Sequence, residues 1–428
     1  MRAALRTPGF KRLYAGLCAS MFGDSLMLIV LSMWVKSLTG SNGAAGLTFL
    51  WLTLPALVGP LFGYVVDRIP RRPFLVAANF ASALIVLPLL LVHDAGDVWL
   101  IYLVSFCYGV SFVVIPAALN GLLKDMLAEE ALVEANATLS VTREAWRLVG
   151  PLAGATAFAL LGGWSVAVID AATFVVAALA VASLTVREAP LEPASLHWSA
   201  ELVAGARHIR VTPLLLHPTL AVGICLLVVG FSESAVYAVL DAFDKPVEFV
   251  GPLLTVQGVG AVVSGLLSSR VIKRVGEPRA LLIGLAFMAA GLLGVVASTR
   301  IWELLVSTAV LGAGLPILIV AYSTMLQLHT PGRLMGRVST ATEVLTTTPQ
   351  ALSIATGALL VTLLDYRVIF GLMAAGTVAG AVYLMVALRD SLSPALSGES
   401  ATPVADPDPI PGSVLAEGVA APLTGPGD

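Results

Sequence analysis

Asp24, Glu233 and Glu343 each interrupt a long apolar stretch, and a carboxyl group in such a place is suited to taking up and giving back a proton. A charge at the centre of a bilayer costs roughly 2.5 to 3.5 kcal/mol on insertion scales, so an acid kept there is expected to serve function. Asp24 lies about 20 Å along its stretch if a helix begins near Lys11, which places it near the midplane. Glu233 has Tyr237 one turn further on the same helical face, so the acid would have an aromatic partner. Asp241 and Asp244 read as solvated loop acids. Arg143, Glu144 and Arg147 open another stretch. Glu144 and Arg147 are spaced to pair on one face, and Arg143 and Arg147 line one stripe. With Glu343 at a comparable depth in the second half, they form either a charge network across an interface or a cluster anchoring helix ends at the membrane surface. Gln257 either lines a path or bridges neighbouring helices.

These residues need a scaffold that spans a bilayer. The 428 residues are 58% hydrophobic and only 12% charged, too few polar groups to cover a water-soluble surface. Apolar runs of about 20 residues recur about twelve times, each long enough to cross a hydrocarbon core of about 30 Å. The expected spans are Leu13 to Val35, Ala44 to Val66, Phe74 to Leu91, Trp99 to Leu119, Ala137 to Gly162 and Val166 to Val186. The second set is Leu214 to Leu240, Phe249 to Ser269, Leu281 to Ala297, Leu304 to Leu326, Val338 to Leu364 and Val368 to Leu388. The fold class is therefore an all-α polytopic membrane protein. A first six-helix bundle would occupy 1–186, an amphipathic linker 187–213, a second bundle 214–389 and a disordered acidic tail 390–428. With the N-terminus inside, nearly all lysines and arginines fall on one side and only Lys36, Lys245, Arg300 and Arg367 on the other. That asymmetry puts both termini in the cytoplasm.

Gly63-Tyr-Val-Val-Asp67-Arg68-Ile-Pro-Arg71-Arg72 turns the chain between the second and third spans, and Gly265 to Arg274 repeats its pattern between the eighth and ninth, with Ser269 where Asp67 stands. The two halves are thus related, with a substrate path expected between them near the midplane. Enzymatic chemistry is not expected, because no nucleophile, metal set or paired-acid arrangement stands out. Cys18, Cys107 and Cys225 lie far apart inside apolar runs, and the histidines are scattered. Gly258-Val-Gly260 lies in an apolar helix with no preceding strand, and no phosphate-loop lysine motif is present, so an ion gradient rather than ATP is the expected energy source. One charge crossing 100 mV is worth roughly 2.3 kcal/mol, against about 1.4 kcal/mol for a tenfold concentration ratio, so one proton suffices for useful accumulation.

The Gly63 to Arg72 loop resembles the signature between the second and third helices of the major facilitator superfamily, with Pro70 where that family often has glycine. Gly150-Pro151-Leu-Ala-Gly154 resembles the fifth-helix signature of its antiporter members, with Ala155 where a further glycine is common. Gly23-Asp24, Leu54-Pro55-Ala56, Ala135-Asn136 and Gly336-Arg337-Val338 are similar to the third drug-proton antiporter group, which contains multidrug, macrolide and siderophore exporters. The resemblance implies twelve transmembrane helices in two six-helix bundles and alternating access. It further implies proton-coupled efflux of lipophilic or amphipathic compounds, with siderophore or lysophospholipid export as the alternative. A non-transporting sensor on this fold is the alternative of another class. It makes Asp67, with Gly63, Arg68, Arg71 and Arg72, a conformational latch, and Gly150, Pro151 and Gly154 a bend. The expected partners are a small-molecule substrate and the lipid bilayer, with no nucleic acid and no cofactor beyond the coupling protons. A monomer in a bacterial-type cytoplasmic membrane completes the expectation.

Overall fold

The computed structural model describes residues 7, 9–59, 62, 66, 68–186, 198–331 and 334–389. Among them there are helices and turns but no strands. Apolar side chains on every side leave the backbone no water to bond to, and a helix satisfies its own N–H and C=O groups. The first half holds α1 (Phe10–Thr39), α2 (Asn42–Thr53), α3 (Arg71–Val86), α4 (Val98–Met126), α5 (Glu129–Leu161) and α6 (Gly163–Ala182). Helix α7 (Trp198–Val211) links it to α8 (Pro213–Ala242), α9 (Val250–Val275), α10 (Glu277–Ala297), α11 (Ile301–Leu328), α12 (Met335–Leu360) and α13 (Tyr366–Ala387).

Local chemistry sets the ends. Helix α1 stops where Gly40 takes the left-handed conformation (φ 66°). Ser41 then caps α2, its hydroxyl accepting from the Ala44 N–H. Proline at the start of a short 3-10 segment, Leu54–Val58, follows α2, and Leu87–Leu91 follows α3 in the same way.

Nine of the described helices are long and apolar enough to span a membrane. The expected second, fifth and eleventh spans correspond to α2 with its 3-10 extension, to α5 and to α12, which are shorter or more polar. The polarity of α5 reflects its charged residues, Arg143, Glu144 and Arg147 among them, and that of α12 its many threonines and serines with Arg337 and Glu343.

The helix pairings repeat from one half to the other. In the first, α1 packs on α5 and α6, α3 on α4 and α6, and α2 on α4. In the second, α8 packs on α12 and α13, α10 on α11 and α13, and α9 on α11. The halves meet through α2 against α12 and α5 against α9, two contacts that a two-fold relation between the repeats exchanges. Linker helix α7 joins the second half, where a Cβ on Gly205 would overlap the Arg337 carbonyl at the start of α12.

The core has three parts. At the end carrying Lys36, one apolar cluster runs unbroken from Leu26, Met27 and Trp34 of the first half to Tyr237, Leu253 and Phe370 of the second. At the opposite, arginine-rich end, the first half keeps a cluster around Phe10, Leu75 and Leu122, and the second a separate one around Leu215, Leu281 and Leu318. The halves are therefore joined at one end by a shared core and hold separate cores at the other.

Candidate functional site

Asp24 sits at the middle of α1, partly exposed, close to where the shared core begins. Its Oδ1 accepts a 2.6 Å hydrogen bond from the Tyr108 hydroxyl on α4. Tyr108 is enclosed, with Phe112 and Phe174 set edge-on at ring-centroid distances of 5.0 and 5.8 Å. Behind Asp24, on α6, stands a second carboxyl that the sequence reading did not single out. Asp170 is 0% exposed, and neither of its oxygens has a hydrogen-bond partner. It approaches because residue 23 is glycine: a Cβ there would overlap Asp170 Oδ1 and Thr173 Oγ1. The signal was available, since Asp170 lies just inside the expected span Val166 to Val186 and the cost of burying its charge is of the same kind as for Asp24.

Across the interface, Glu233 of α8 is partly exposed and feels the charge of Arg147 on α5. The expected Glu144–Arg147 pair does not form: among the described residues no salt bridge joins them, and Arg143, Glu144 and Arg147 are all exposed. Glu343 is exposed on α12. Tyr237 is fully buried, and its hydroxyl meets Ser32 Oγ of α1 at 2.5 Å. Gln257 lies against α11, where a Cβ on Gly312 would overlap its carbonyl oxygen.

Asp241 is exposed, as expected of a solvated acid, but it is not in a loop and not unpaired. It belongs to α8, and its Oδ2 takes Lys36 Nζ of α1 at 2.7 Å and Asn42 Nδ2 of α2 at 3.0 Å. Together with the Ser32–Tyr237 bond it ties the halves at the end where they share a core.

Gly63 and Asp67 lie outside the described residues. Arg68 is exposed in the turn. Arg71 reaches Asp125 at the end of α4 (2.9 Å), and Arg72 donates to the Ala182 carbonyl at the end of α6 (2.5 Å), where cations complement the helix terminus. Both are thus held within the first half, and Asp125 is a partner the sequence reading did not name. The Gly150, Pro151 and Gly154 run packs closely on α1: a Cβ on Gly150 would overlap Ser25 Oγ, and one on Gly154 would lie 2.8 Å from the Leu26 carbonyl. Ser25 also donates to the Trp146 carbonyl (2.6 Å), and the Phe22 ring lies 4.9 Å from the Trp146 ring, so this face of α1 is held against α5.

A helical, multi-pass membrane protein of two repeated halves, with acids held between and within them, has the architecture of a transporter. The sequence model of the Major Facilitator Superfamily matches residues 13–245 and 222–417, and the chain belongs to that family. Among curated relatives it is 26% identical over 394 residues to the uncharacterized MFS-type transporter YfiS of Bacillus subtilis (strain 168), covering 89% of this chain and 92% of that one. It is 23% identical over 381 residues to the multidrug resistance protein MdtG of Salmonella heidelberg (strain SL476), covering 85% and 91%. The fold is similar to that of the nucleoside transporter NupG, with a TM-score of 0.71 at 12% identity over 91% of this chain and 100% of that one.

Proposed function

We propose that this transporter is a proton-driven exporter of lipophilic or amphipathic compounds that works by alternating access. The observation that carries the reading is the placement of Asp24: an acid at the middle of α1, partly exposed and bonded to Tyr108, on the helix that also carries the Phe22–Trp146 aromatic contact. Aromatic groups suit an apolar or aromatic substrate, and an acid at this depth can trade a proton for that substrate. The likeness to MdtG, whose name records multidrug resistance, favours export of such compounds.

In this account α2, α5 and α12 complete twelve spans, and the arginine-rich end faces the cytoplasm. Both termini are then cytoplasmic, and the conformation is open inward, with the Lys36–Asp241 and Ser32–Tyr237 contacts closing the outer end. Arg147 and Glu233 face each other across the path, so a cationic substrate would compete with Arg147 for Glu233. Cells expressing the protein should lower their content of at least one compound in a panel of cationic, neutral and acidic lipophiles, and an uncoupler should restore it. Equal content with and without the protein, across the whole panel, would overturn the reading.

A further inference from the structure

Between α1, α4 and α6 two carboxyls stand together, and among the described residues no salt bridge joins either to a cation. Asp170 is closed off from solvent and both its oxygens lack hydrogen-bond partners, while Asp24, beside it, opens partly to the path. Asp24 accepts from Tyr108, Asp170 packs against Gly23 next to it, and among the described residues no salt bridge reaches either carboxyl. Among the described residues the lysines and arginines of the neighbouring elements are bonded elsewhere or lie exposed. Helix α3 contributes Asn79, bonded to the Leu75 carbonyl, and Ser82, bonded to Ser111, while its Arg71 and Arg72 serve Asp125 and the end of α6. Helix α5 offers Trp146, and its Arg147 acts on Glu233. Two adjacent carboxylates buried in this way call for one positive charge.

The hydroxyls beside them are committed. Tyr108 donates to Asp24, and Thr173 Oγ1 donates to the Asp170 carbonyl at 2.8 Å. A hard metal cation takes about six oxygens, and the described residues contain no group of three or more potential metal-binding side chains. A proton needs only the two carboxyls.

We propose that Asp24 and Asp170 form a single proton-binding site, holding one proton between their carboxyl groups beside the Tyr108 hydroxyl. When the path opens to water, the O–H bond breaks at Asp24, the electron pair stays on the carboxylate and water receives the proton. Asp170 stays enclosed and serves as the second acceptor. The role of this site in transport rests on the export reading above, whereas the site itself is testable in the resting protein.

The test is infrared difference spectroscopy of the full chain in lipid nanodiscs, following the carboxyl C=O band as pH is raised, in wild type, Asp24→Asn and Asp170→Asn. Carboxyls interacting by more than about one pK unit titrate in two macroscopic steps. The wild-type-minus-variant spectra should therefore show two steps from the pair, and each single variant should leave one step at a changed midpoint. Tyr108→Phe keeps both acids and nearly the same volume, and should move the same two steps, giving a reading even if Asp170→Asn does not fold. An Asp24 step unaltered by both Asp170→Asn and Tyr108→Phe would overturn the proposal. So would loss of the band on adding sodium at constant pH. If the two-step titration is present but no compound is exported, the site stands and the export reading fails.

Discussion

Replacing Asp241 with alanine should release the end at which the halves share a core. The substitution removes the Lys36 pair at 2.7 Å and the Asn42 bond at 3.0 Å, both linking α8 to the first half. The Lys36 side chain is 11% exposed and that of Asp241 49%, so solvent screens the pair and its value is discounted to roughly 0.5 to 1 kcal/mol. The Asn42 bond, equally accessible, adds about 0.5 to 1 kcal/mol. Together they favour the observed conformation by about 1 to 2 kcal/mol, and at 1.4 kcal/mol per factor of ten their loss shifts the two-state ratio by roughly 5- to 30-fold. Adding Tyr237→Phe removes the buried bond to Ser32 and contributes about 1 kcal/mol more. Spin labels at Ala95 and Arg300 report the Lys36 end, and labels at Ala128 and Pro331 the arginine-rich end. Double electron-electron resonance on the variants should show longer distances at the first pair and shorter ones at the second, with a larger shift in the double variant. Unchanged distributions at both pairs would refute the assignment of these contacts as a closure.

Asp24→Asn should abolish proton-driven export while leaving the purified protein monodisperse, as measured by efflux from energised cells; export at the wild-type rate would remove Asp24 from the coupling. Gly23→Ala should destabilise the first half by about 1 to 3 kcal/mol, because the new methyl overlaps Asp170 and Thr173, and a fluorescence-detected melt checks it. A melting temperature equal to wild type would count against the close approach of α1 and α6. Glu233→Gln should weaken export of cationic lipophiles about tenfold and leave neutral ones near the wild-type rate, since only the former compete with Arg147 for the acid. Equal losses for both classes would contradict that.

The sequence carried the fold because hydrophobic run lengths and the placement of arginines are local signals, and the repeat of Gly63 to Arg72 at Gly265 to Arg274 exposed the two halves. The pairing of charges was harder to read. Lys36 and Asp241 are 205 positions apart, and nothing in either stretch says that α1 and α8 touch there. Tyr237 falls one turn from Glu233, so helical spacing assigns it to that acid, whereas a tyrosine hydroxyl reaches beyond its own helix and here finds Ser32. Asp170 sits near the start of its apolar run, where an acid reads as a boundary residue; the close packing of α6 on Gly23 is what brings it toward α1. The sequence reading placed Arg143, Glu144 and Arg147 at the opening of a span, whereas α5 begins at Glu129 and holds them mid-helix, exposed and with no salt bridge between Glu144 and Arg147 among the described residues.

The account depends most on a proton gradient moving a substrate through this chain. Purified protein reconstituted in liposomes with an imposed pH gradient, tested with fluorescent lipophilic cations, measures that directly. The expected result is uphill accumulation that stops when the gradient is collapsed and is missing from liposomes carrying Asp24→Asn. Accumulation that persists without the gradient, or proceeds equally with Asp24→Asn, would contradict it.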